Sequence, residues 1–284
     1  MKRDQLDAAR DQRGLIDMGC LEGLPKSVIL ASNAIYLYQL EDCRVIFKRY
    51  SFEKDVLSPE AFNEVLYARL AKKLGIYCGE YDFAFLGEQS GTVSYVIEGN
   101  IKTVYELLGE NLPLLEYTRD GQNAYSVLCT LFESKYPRHA STLKKELLRL
   151  IGFDAILGHG DKNSTNMLIW EGDEEAHLFS VDGSHLWGRF FSLKKRGREL
   201  CSFLNSLKKE EQDLVLSVIE EIDAHTEIDS IVKEYPIYLE VSKWVKGAML
   251  HTRETILQEK SNDMISDYFL YPKREIKTKS RRNP

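Results

Sequence analysis

The segment between residues 153 and 188 constrains the fold of this chain most strongly, because acidic and amide side chains alternate in it with strand-like runs. Asp161 is followed five positions later by Asn166, and then come the apolar run MLIW, a polar turn, the apolar run HLFSV and Asp182 before a glycine. Two short apolar runs joined by a polar turn predict a β-hairpin. Because the outer ends of a hairpin meet, we expect Asn166 and Asp182 to lie close together, near the loop that contains Asp161.

These three side chains have the chemistry that phosphoryl transfer requires. A carboxylate beside the attacking hydroxyl accepts its proton, and a carboxylate with an amide oxygen holds Mg²⁺ on the nucleotide phosphates. Asp161 fits the first role, and Asn166 with Asp182 fits the second. The alternative is that the same residues only stabilise turns, as Asp and Asn often do. The ordered combination of all three around a hairpin favours the functional interpretation.

Composition indicates a globular protein of the cytoplasm. The chain has 284 residues, of which 43% are hydrophobic, enough for one large core or two lobes of ordinary size. No apolar run approaches the ~20 residues needed to cross a bilayer, and the polar start argues against a secretory signal. The five cysteines are scattered, which argues against a disulfide framework or a zinc site. We therefore expect a reducing environment and no association with a membrane.

The net charge of −6 is unevenly distributed along the chain. The last twelve residues hold six basic side chains and one acidic side chain, a charge of +5, which leaves about −11 on the rest. An acidic body disfavours nucleic acid as the main partner, because nucleic-acid binding depends on cationic side chains. We expect residues 271–284 to form a flexible basic tail.

From residue 27 onward the pattern is typical of strands. The runs SVILAS, AIYLYQL and RVIFKRY are rich in β-branched and aromatic residues and are separated by short polar breaks, which predicts an antiparallel meander. Alternation places Val45 and Phe47 of the third run on one face and Lys48 on the other. Lys48 is therefore either a solvent-facing strand residue or a lysine that points into a site.

The next segment favours the second interpretation of Lys48. Ser58 and Pro59 have the residue types of a helix start, and an apolar stripe follows until Gly75, which predicts one helix. Glu64 lies at the edge of that stripe. A strand lysine held by a helix glutamate can bind the α- and β-phosphates of a nucleotide. We expect Glu64 to hold Lys48, with Glu60, one turn earlier, as the other candidate.

Further strand runs, YDFAFLG and TVSYVIEG, end near Gly99, after which the apolar spacing becomes helical. This change predicts an α+β fold of two lobes. We expect a lead-in segment at 1–26, a sheet-rich lobe at 27–98, a helical lobe at 99–270 and the basic tail at 271–284. Helices are expected near 102–109, 120–135 and 139–157, and closing helices near 197–206, 208–224 and 235–259.

Taken in order, these residues make the chain resemble the HipA-like kinases. Members of that family share an F-D-x-x-x-x-x-x-D-x-x-x-x-N pattern, which FDAILGHGDKNSTN follows from Phe153 to Asn166. The resemblance implies a bilobal protein-kinase-like fold with ATP and Mg²⁺ as cofactors. It also implies phosphorylation of a protein serine or threonine and, as in some members, an antitoxin-like partner. In such a kinase the backbone near Glu98 would contact adenine.

Two features leave alternatives open. The sequence HGD, which ends at Asp161 and is followed after four residues by Asn166, also matches the aminoglycoside and choline phosphotransferases. Those enzymes have small-molecule acceptors. No G-x-G-x-x-G loop occurs between residues 28 and 45, so phosphate contacts would come from residues such as Ser32 and Asn33. A pseudokinase that acts as a binding module is the alternative without enzymatic activity.

The loop from residue 183 to residue 197 combines hydroxyls with basic side chains. Ser184 and Ser192 are close in sequence to several arginines and lysines, which could order the loop around a phosphate. We therefore consider Ser192 or Ser184 as a site of autophosphorylation, the alternative being a solvated basic loop. His159 is a further candidate, either to orient the loop that contains Asp161 or as an ordinary turn residue.

Overall fold

The computed structural model describes residues 4–21, 26–30, 33–40, 43–53, 58–114, 124–159, 162–186, 200 and 202–247. Within these ranges the fold is α+β, with a sheet-rich first part and a mainly helical second part, as the change of apolar spacing near Gly99 predicts. In the described part of the chain, no helix has the length and apolar character that crossing a membrane requires.

The first part is built on a mixed sheet. Its strands are β1 (Ile16–Asp17), β2 (Lys26–Leu30), β3 (Asn33–Gln39), β4 (Arg44–Ser51), β5 (Tyr81–Leu86) and β6 (Gln89–Tyr95), in the spatial order β1-β5-β6-β4-β3-β2. Strands β2, β3 and β4 pair consecutively and antiparallel, which is the predicted meander. Strand β4 then pairs with β6, so the strand that carries Lys48 lies in the interior of the sheet.

One helix covers the inner face of this sheet. Helix α2 (Pro59–Lys73) starts where the Ser58 hydroxyl accepts a hydrogen bond from the Glu60 amide at 3.1 Å, and proline occupies its first position. Its apolar stripe is buried as predicted, and Phe62 stacks on Phe83 of β5 with ring centroids 6.3 Å apart. This packing directs Glu64 towards β4.

The N-terminal residues cover the outer face of the same sheet. Helix α1 (Asp4–Ala8) precedes β1, and β1 pairs in parallel with β5, Ile16 opposite Ala84. Leu6, Ile16 and Met18 are buried and form one cluster with Phe47 of β4. Residues 4–21 thus add a strand and a hydrophobic cover to the sheet, whereas the sequence predicts only a lead-in. The division of the chain near residue 26 stays a prediction.

The second part combines helices with a small antiparallel sheet. The helices are α3 (Val104–Leu108), α4 (Ala124–Lys135), α5 (Ala140–Ile156), α6 (202–206), α7 (Lys209–Glu221), α8 (Ala224–Glu234) and α9 (239–247). The strands are β7 (Asn100–Thr103), β8 (Met167–Glu171) and β9 (Ala176–Ser180), in the order β7-β8-β9. The predicted hairpin is β8 and β9, and α5 leads into the loop before it.

Strand β7 differs from the sequence-based expectation of a helix at 102–109. Ile101 pairs with Trp170 of β8, and the helix begins only after Thr103. The Thr103 hydroxyl accepts a hydrogen bond from the Glu106 amide at 3.0 Å, and the Glu106 carboxylate accepts one from the Thr103 amide at 2.7 Å. This capping box fixes the helix start, so the residues before it are available for the sheet.

Candidate active site

Lys48 connects three elements through its ammonium group. Val45 and Phe47 are completely buried under the N-terminal segment, so the strand alternation directs Lys48 to the opposite face, towards α2. Its Nζ lies 3.4 Å from Glu64 Oε1 and 2.8 Å from Asp182 Oδ1. Strand β4, helix α2 and the segment after β9 therefore meet at one cation.

Glu64 is completely buried and is held by three donors. Besides Lys48, the Tyr50 hydroxyl donates to Oε2 at 3.0 Å and the Thr92 hydroxyl donates to the same oxygen at 2.5 Å. Burial raises the pKa of Glu64, against the lowering effect of Lys48. The other predicted partner of Lys48, Glu60, instead bonds with the capping serine of its own helix at 2.5 Å. A buried carboxylate with this many donors is a fixed anchor for the lysine.

Asp182 adopts a backbone conformation that L-residues rarely adopt. Its φ is +58°, the left-handed region, and among the described residues it is the one non-glycine residue with positive φ. Its carboxylate oxygen Oδ1 accepts from Lys48 at 2.8 Å and from the Ser184 hydroxyl at 2.6 Å. The other oxygen, Oδ2, accepts no hydrogen bond from any residue that the structure describes. The carboxylate thus keeps one oxygen for a further ligand.

The charges at this point support one another. Burial alone would raise the pKa of Asp182, but the Lys48 ammonium outweighs it and, with hydrogen bonds from Lys48 and Ser184, lowers that pKa well below its ordinary value. Burial opposes protonation of Lys48, yet Glu64 and Asp182 raise its pKa. At neutral pH the Lys48–Asp182 contact is therefore an ion pair.

The glycine after Asp182 is required by packing. A Cβ atom added at Gly183 would lie 2.5 Å from Cβ of Tyr67 on α2, closer than two carbon atoms can approach. The Asp-Gly sequence could have been an ordinary turn. The contact shows that glycine at position 183 also lets the chain pass directly over α2 at Tyr67, three residues after Glu64.

The loop before β8 is described on both sides of Asp161, which itself lies outside the described residues. His159 is buried, and its Nε2 donates to the backbone oxygen of Asp182 at 2.8 Å. Asn166 ends a short 3-10 turn, and its backbone oxygen accepts from the Val181 amide at 3.0 Å. The loop and the segment that carries Asp182 are thus joined directly, as the hairpin predicts.

Three further residues, Ser32, Asn33 and Glu98, are predicted to contact the nucleotide, and Glu98 is the one whose side chain the structure describes. Ser32 lies outside the described residues, as does the side chain of Asn33, whose backbone begins β3. Glu98 is exposed, and its backbone oxygen accepts from the Trp170 indole at 3.1 Å. Gly99 has φ +119° and packs so closely on Trp170 that a Cβ atom would lie 2.6 Å from the indole nitrogen. The segment near Glu98 that is predicted to contact adenine is therefore held against Trp170 of β8.

The two serines considered for autophosphorylation have different positions. Ser184 is 2% exposed and donates its hydroxyl to Asp182, so phosphorylation would require the segment to open. Ser192 lies outside the described residues.

Sequence reasoning missed several residues of this site. Tyr50 and Thr92 donate to Glu64, and Lys162, next to Asp161 in the sequence, is 5% exposed and bonds with the end of β9. Tyr50 lies two positions after Lys48 on the same face of β4, a signal that could have been used. Thr92 and Lys162 become recognisable only when the elements are in place.

A cavity among the described residues lies away from this site. It has a volume of about 600 Å³ and is lined by residues of α1, the end of α2 and residues 75–82. None of the residues predicted to bind nucleotide or metal lines it. The candidate site is therefore defined by its converging charged groups.

The protein-kinase-like fold has these features: a sheet-rich part in which a strand lysine contacts a helix glutamate, and a helical part in which an aspartate follows a β-hairpin and contacts that lysine. This is the class that the fold defines. No family model and no curated protein sequence matches the chain.

Solved structures place the fold more narrowly. The proinflammatory kinase CtkA of Helicobacter pylori superimposes with a TM-score of 0.61 at 13% identity, over 86% of this chain and 96% of that one. HipA of the Shewanella oneidensis HipA–HipB toxin–antitoxin system, solved in complex with operator DNA, superimposes with a TM-score of 0.54 at 14% identity, over 85% of this chain and 67% of that one. The chain therefore has the fold of HipA-like kinases.

Proposed function

We propose that this protein is a kinase that transfers the γ-phosphoryl group of ATP, with Mg²⁺, to a serine or threonine of a protein. The observation that supports the proposal best is the contact of Lys48 with both Glu64 and Asp182, at 3.4 Å and 2.8 Å. It joins a residue suited to binding phosphates with a residue suited to binding the metal. CtkA, which shares the fold, is described as a kinase, and HipA, which also shares it, belongs to a toxin–antitoxin system.

Each predicted residue has a role in this proposal. Asp161 accepts the proton of the attacking hydroxyl, and Lys48, fixed by Glu64, binds the α- and β-phosphates. Lys48 has three N–H donors, so it can keep its bond to Glu64 while it binds phosphate. The backbone near Glu98 contacts adenine, and residues near Ser32 and Asn33 contact phosphates.

Asn166 and Asp182 are the proposed ligands of Mg²⁺. Their chemistry fits, since Mg²⁺ prefers oxygen donors and in such sites is bound by one or two carboxylates together with phosphates and water. The lowered pKa of Asp182 keeps its carboxylate ionised, and Oδ2 is the oxygen that no described residue uses. When bound, the ion neutralises charge on the phosphates.

Transfer of labelled phosphate from ATP to dephosphorylated casein, with and without Mg²⁺, tests the proposal. We expect Mg²⁺-dependent transfer that falls by several orders of magnitude in Asp161→Asn and Asp182→Asn, because each loses a group that acts in the transition state. Asp173→Asn, in the exposed turn between β8 and β9, is the matched control and should transfer at the wild-type rate. Wild-type activity in Asp182→Asn would exclude the metal role.

A small-molecule phosphotransferase is the second candidate. The HGD sequence with Asn166 at its spacing supports it, and a charge of about −11 outside the tail suits a cationic acceptor. Aminoglycosides and choline, offered in place of casein in the same assay, distinguish the two. If none of these acceptors is phosphorylated and Mg-ATP does not raise Tm, the protein is a pseudokinase, since any ligand of the native state stabilises it.

We also propose a protein partner of the antitoxin kind, because the HipA structure contains HipB. Co-expression of this chain with the protein encoded next to it, followed by purification through a tag on either one, tests for a stable complex. Recovery of each protein alone would remove this proposal and leave the kinase proposal unaffected.

A further inference from the structure

Four buried polar side chains meet behind the proposed active site. Lys162 Nζ lies 2.7 Å from Ser180 Oγ, which lies 2.6 Å from the Tyr67 hydroxyl, and that hydroxyl donates to Asp154 Oδ1 at 2.8 Å. All four residues are at most 5% exposed. Lys162 Nζ also donates to the backbone oxygen of Val181 at 2.8 Å, and lies 5.1 Å from the centre of the Tyr67 ring.

The direction of these hydrogen bonds is fixed by the two charged ends. An ammonium group only donates and a carboxylate only accepts, so Lys162 donates to Ser180, Ser180 donates to Tyr67, and Tyr67 donates to Asp154. Burial, together with the Asp154 carboxylate, raises the pKa of Tyr67 well above its ordinary value, so its hydroxyl keeps the proton that it donates. Two hydroxyl groups thus connect a buried cation to a buried anion.

Such an arrangement costs free energy, because each charge loses its hydration and only well-placed partners compensate. Its position suggests why the chain retains it. Tyr67 lies on α2 three residues after Glu64, and Asp154 lies at the end of α5, which leads into the loop before β8. Ser180 ends β9, two residues before Asp182. Lys162 directly follows Asp161 in the sequence.

We propose that Lys162 is a positioning residue, which holds the loop that contains Asp161 against the end of β9 that carries Asp182. The hydrogen bond from the Leu114 amide to the backbone oxygen of Lys162, at 3.0 Å, fixes the lysine backbone, while its ammonium fixes Ser180 and Val181. Lys162 acts on the reacting groups only through the position of this loop. The expected effect on catalysis rests on the proposed function, whereas the structural role of Lys162 in holding the loop does not.

The test combines two variants with matched controls. Lys162→Met keeps the apolar stem and removes the donors, and Lys144→Met does the same at a lysine paired with Glu133 between α4 and α5. Tyr67→Phe removes the hydroxyl that connects Ser180 with Asp154. Its control is Tyr125→Phe, which removes a tyrosine hydroxyl that donates to another carboxylate, Glu211, at the same distance of 2.8 Å. Measured are Tm, amide hydrogen exchange, and the kcat and KM of Mg²⁺-dependent ADP release from ATP with dephosphorylated casein as the phosphoryl acceptor.

We expect kcat to fall by about 10-fold to 100-fold in Lys162→Met and by less in Tyr67→Phe, because small displacements of reacting groups have effects of this size. KM for ATP should change less than about threefold, since phosphate binding by Lys48 is retained. Amides of residues 162–167 and 181–184 should exchange faster, and those of α7 should not. Both controls should keep the wild-type kcat and the wild-type exchange at residues 162–167 and 181–184, whatever they do to Tm.

A purely structural role predicts a different result. Tm would then fall while kcat, measured well below Tm, stayed within about twofold of wild type. This result would overturn the proposal. Unchanged exchange at residues 162–167 would overturn it as well. If Lys162→Met does not fold, the comparison of Tyr67→Phe with Tyr125→Phe decides in the same way. If the wild-type protein releases no ADP, the proposed function is wrong, and the exchange data alone decide whether Lys162 clamps the loop.

Discussion

At the scale of single residues, the site depends on a lysine shared by two carboxylates. Glu64 is fully buried and has no access to solvent, whereas Asp182 keeps one oxygen that no described residue occupies. The two carboxylates therefore serve different purposes around Lys48: one fixes it, and the other is available to a ligand. The strained φ of Asp182 belongs to the same arrangement, since positive φ in a non-glycine residue persists only where the surroundings enforce it.

Lys48→Met should destabilise the protein by about 3 kcal/mol, because it leaves the Glu64 carboxylate buried without its cation. Glu64→Gln in the same chain removes that charge and keeps an oxygen for Tyr50 and Thr92. The double variant should therefore be more stable than Lys48→Met alone, although it carries one more substitution. Urea unfolding at pH 7 measures both. A double variant less stable than the single one would show that Glu64 does not bear the cost.

At the scale of elements, the position of the loop depends on how closely α5 approaches α7. A Cβ atom at Gly152 would lie 2.6 Å from the backbone oxygen of Val215. Gly152→Ala should destabilise the protein by about 1–3 kcal/mol, even though alanine is the better helix former by about 1 kcal/mol. Gly247→Ala is the control, because a Cβ atom there meets no described atom within 4 Å. Thermal unfolding of both variants checks this, and equal Tm values would contradict the close approach.

The outer face of the hairpin predicts a dependence on pH. Burial opposes protonation of His177, but Glu146 at 2.8 Å and Glu175 at 3.2 Å raise its pKa. A raised pKa in the folded state means that this stabilisation is complete below about pH 6.5, the unfolded value, and is lost as pH rises through the folded value. The stability difference between wild type and His177→Gln should therefore shrink from pH 6 to pH 9. A constant difference would exclude the ion pairs as its cause.

Elements with strong periodicity could be predicted from the sequence, and short polar ones could not. The meander and the hairpin follow from apolar runs and helix α2 follows from an apolar stripe, and Lys48, Glu64 and Asp182 are brought together as those elements require. Strands β1 and β7 are only two and four residues long and exist through their partners, which no local pattern reveals. The bonds of Lys162 likewise depend on contacts between distant segments.

At the scale of the whole molecule, one core connects the sheet with the closing helices. Tyr238, after α8, stacks on Phe83 of β5 with ring centroids 4.0 Å apart and contacts Phe62 of α2 at 5.7 Å. Core residues of α2 and β5 belong to the same buried cluster as those of α5 and α7. The two predicted lobes thus share one hydrophobic cluster.

Hydrogen bonds to the Asp82 carboxylate supplement that core. Asp82 of β5 accepts from Arg10 of the N-terminal segment at 2.5 Å and from the Tyr235 hydroxyl at 2.9 Å, so one carboxylate connects three parts of the molecule. Arg10 also donates to the backbone oxygen of Gly14 at 2.7 Å. Removal of the carboxylate leaves Arg10 and Tyr235 without their common acceptor in a half-buried position.

Asp82→Ala should lower the free energy of unfolding by about 2 kcal/mol, the usual cost of losing hydrogen bonds to a charged group. Because α2 and β5 share one hydrophobic cluster with α5 and α7, unfolding should remain a single transition, with β5 and α5 to α7 losing exchange protection at the same urea concentration. Lys243→Met, at an exposed pair within α9, is the control and should leave the midpoint unchanged. Hydrogen exchange with mass spectrometry across a urea series resolves the two parts. Separate loss of protection in the sheet and in the helices would mean that Asp82, and not the aromatic contacts of Tyr238, makes the molecule cooperative.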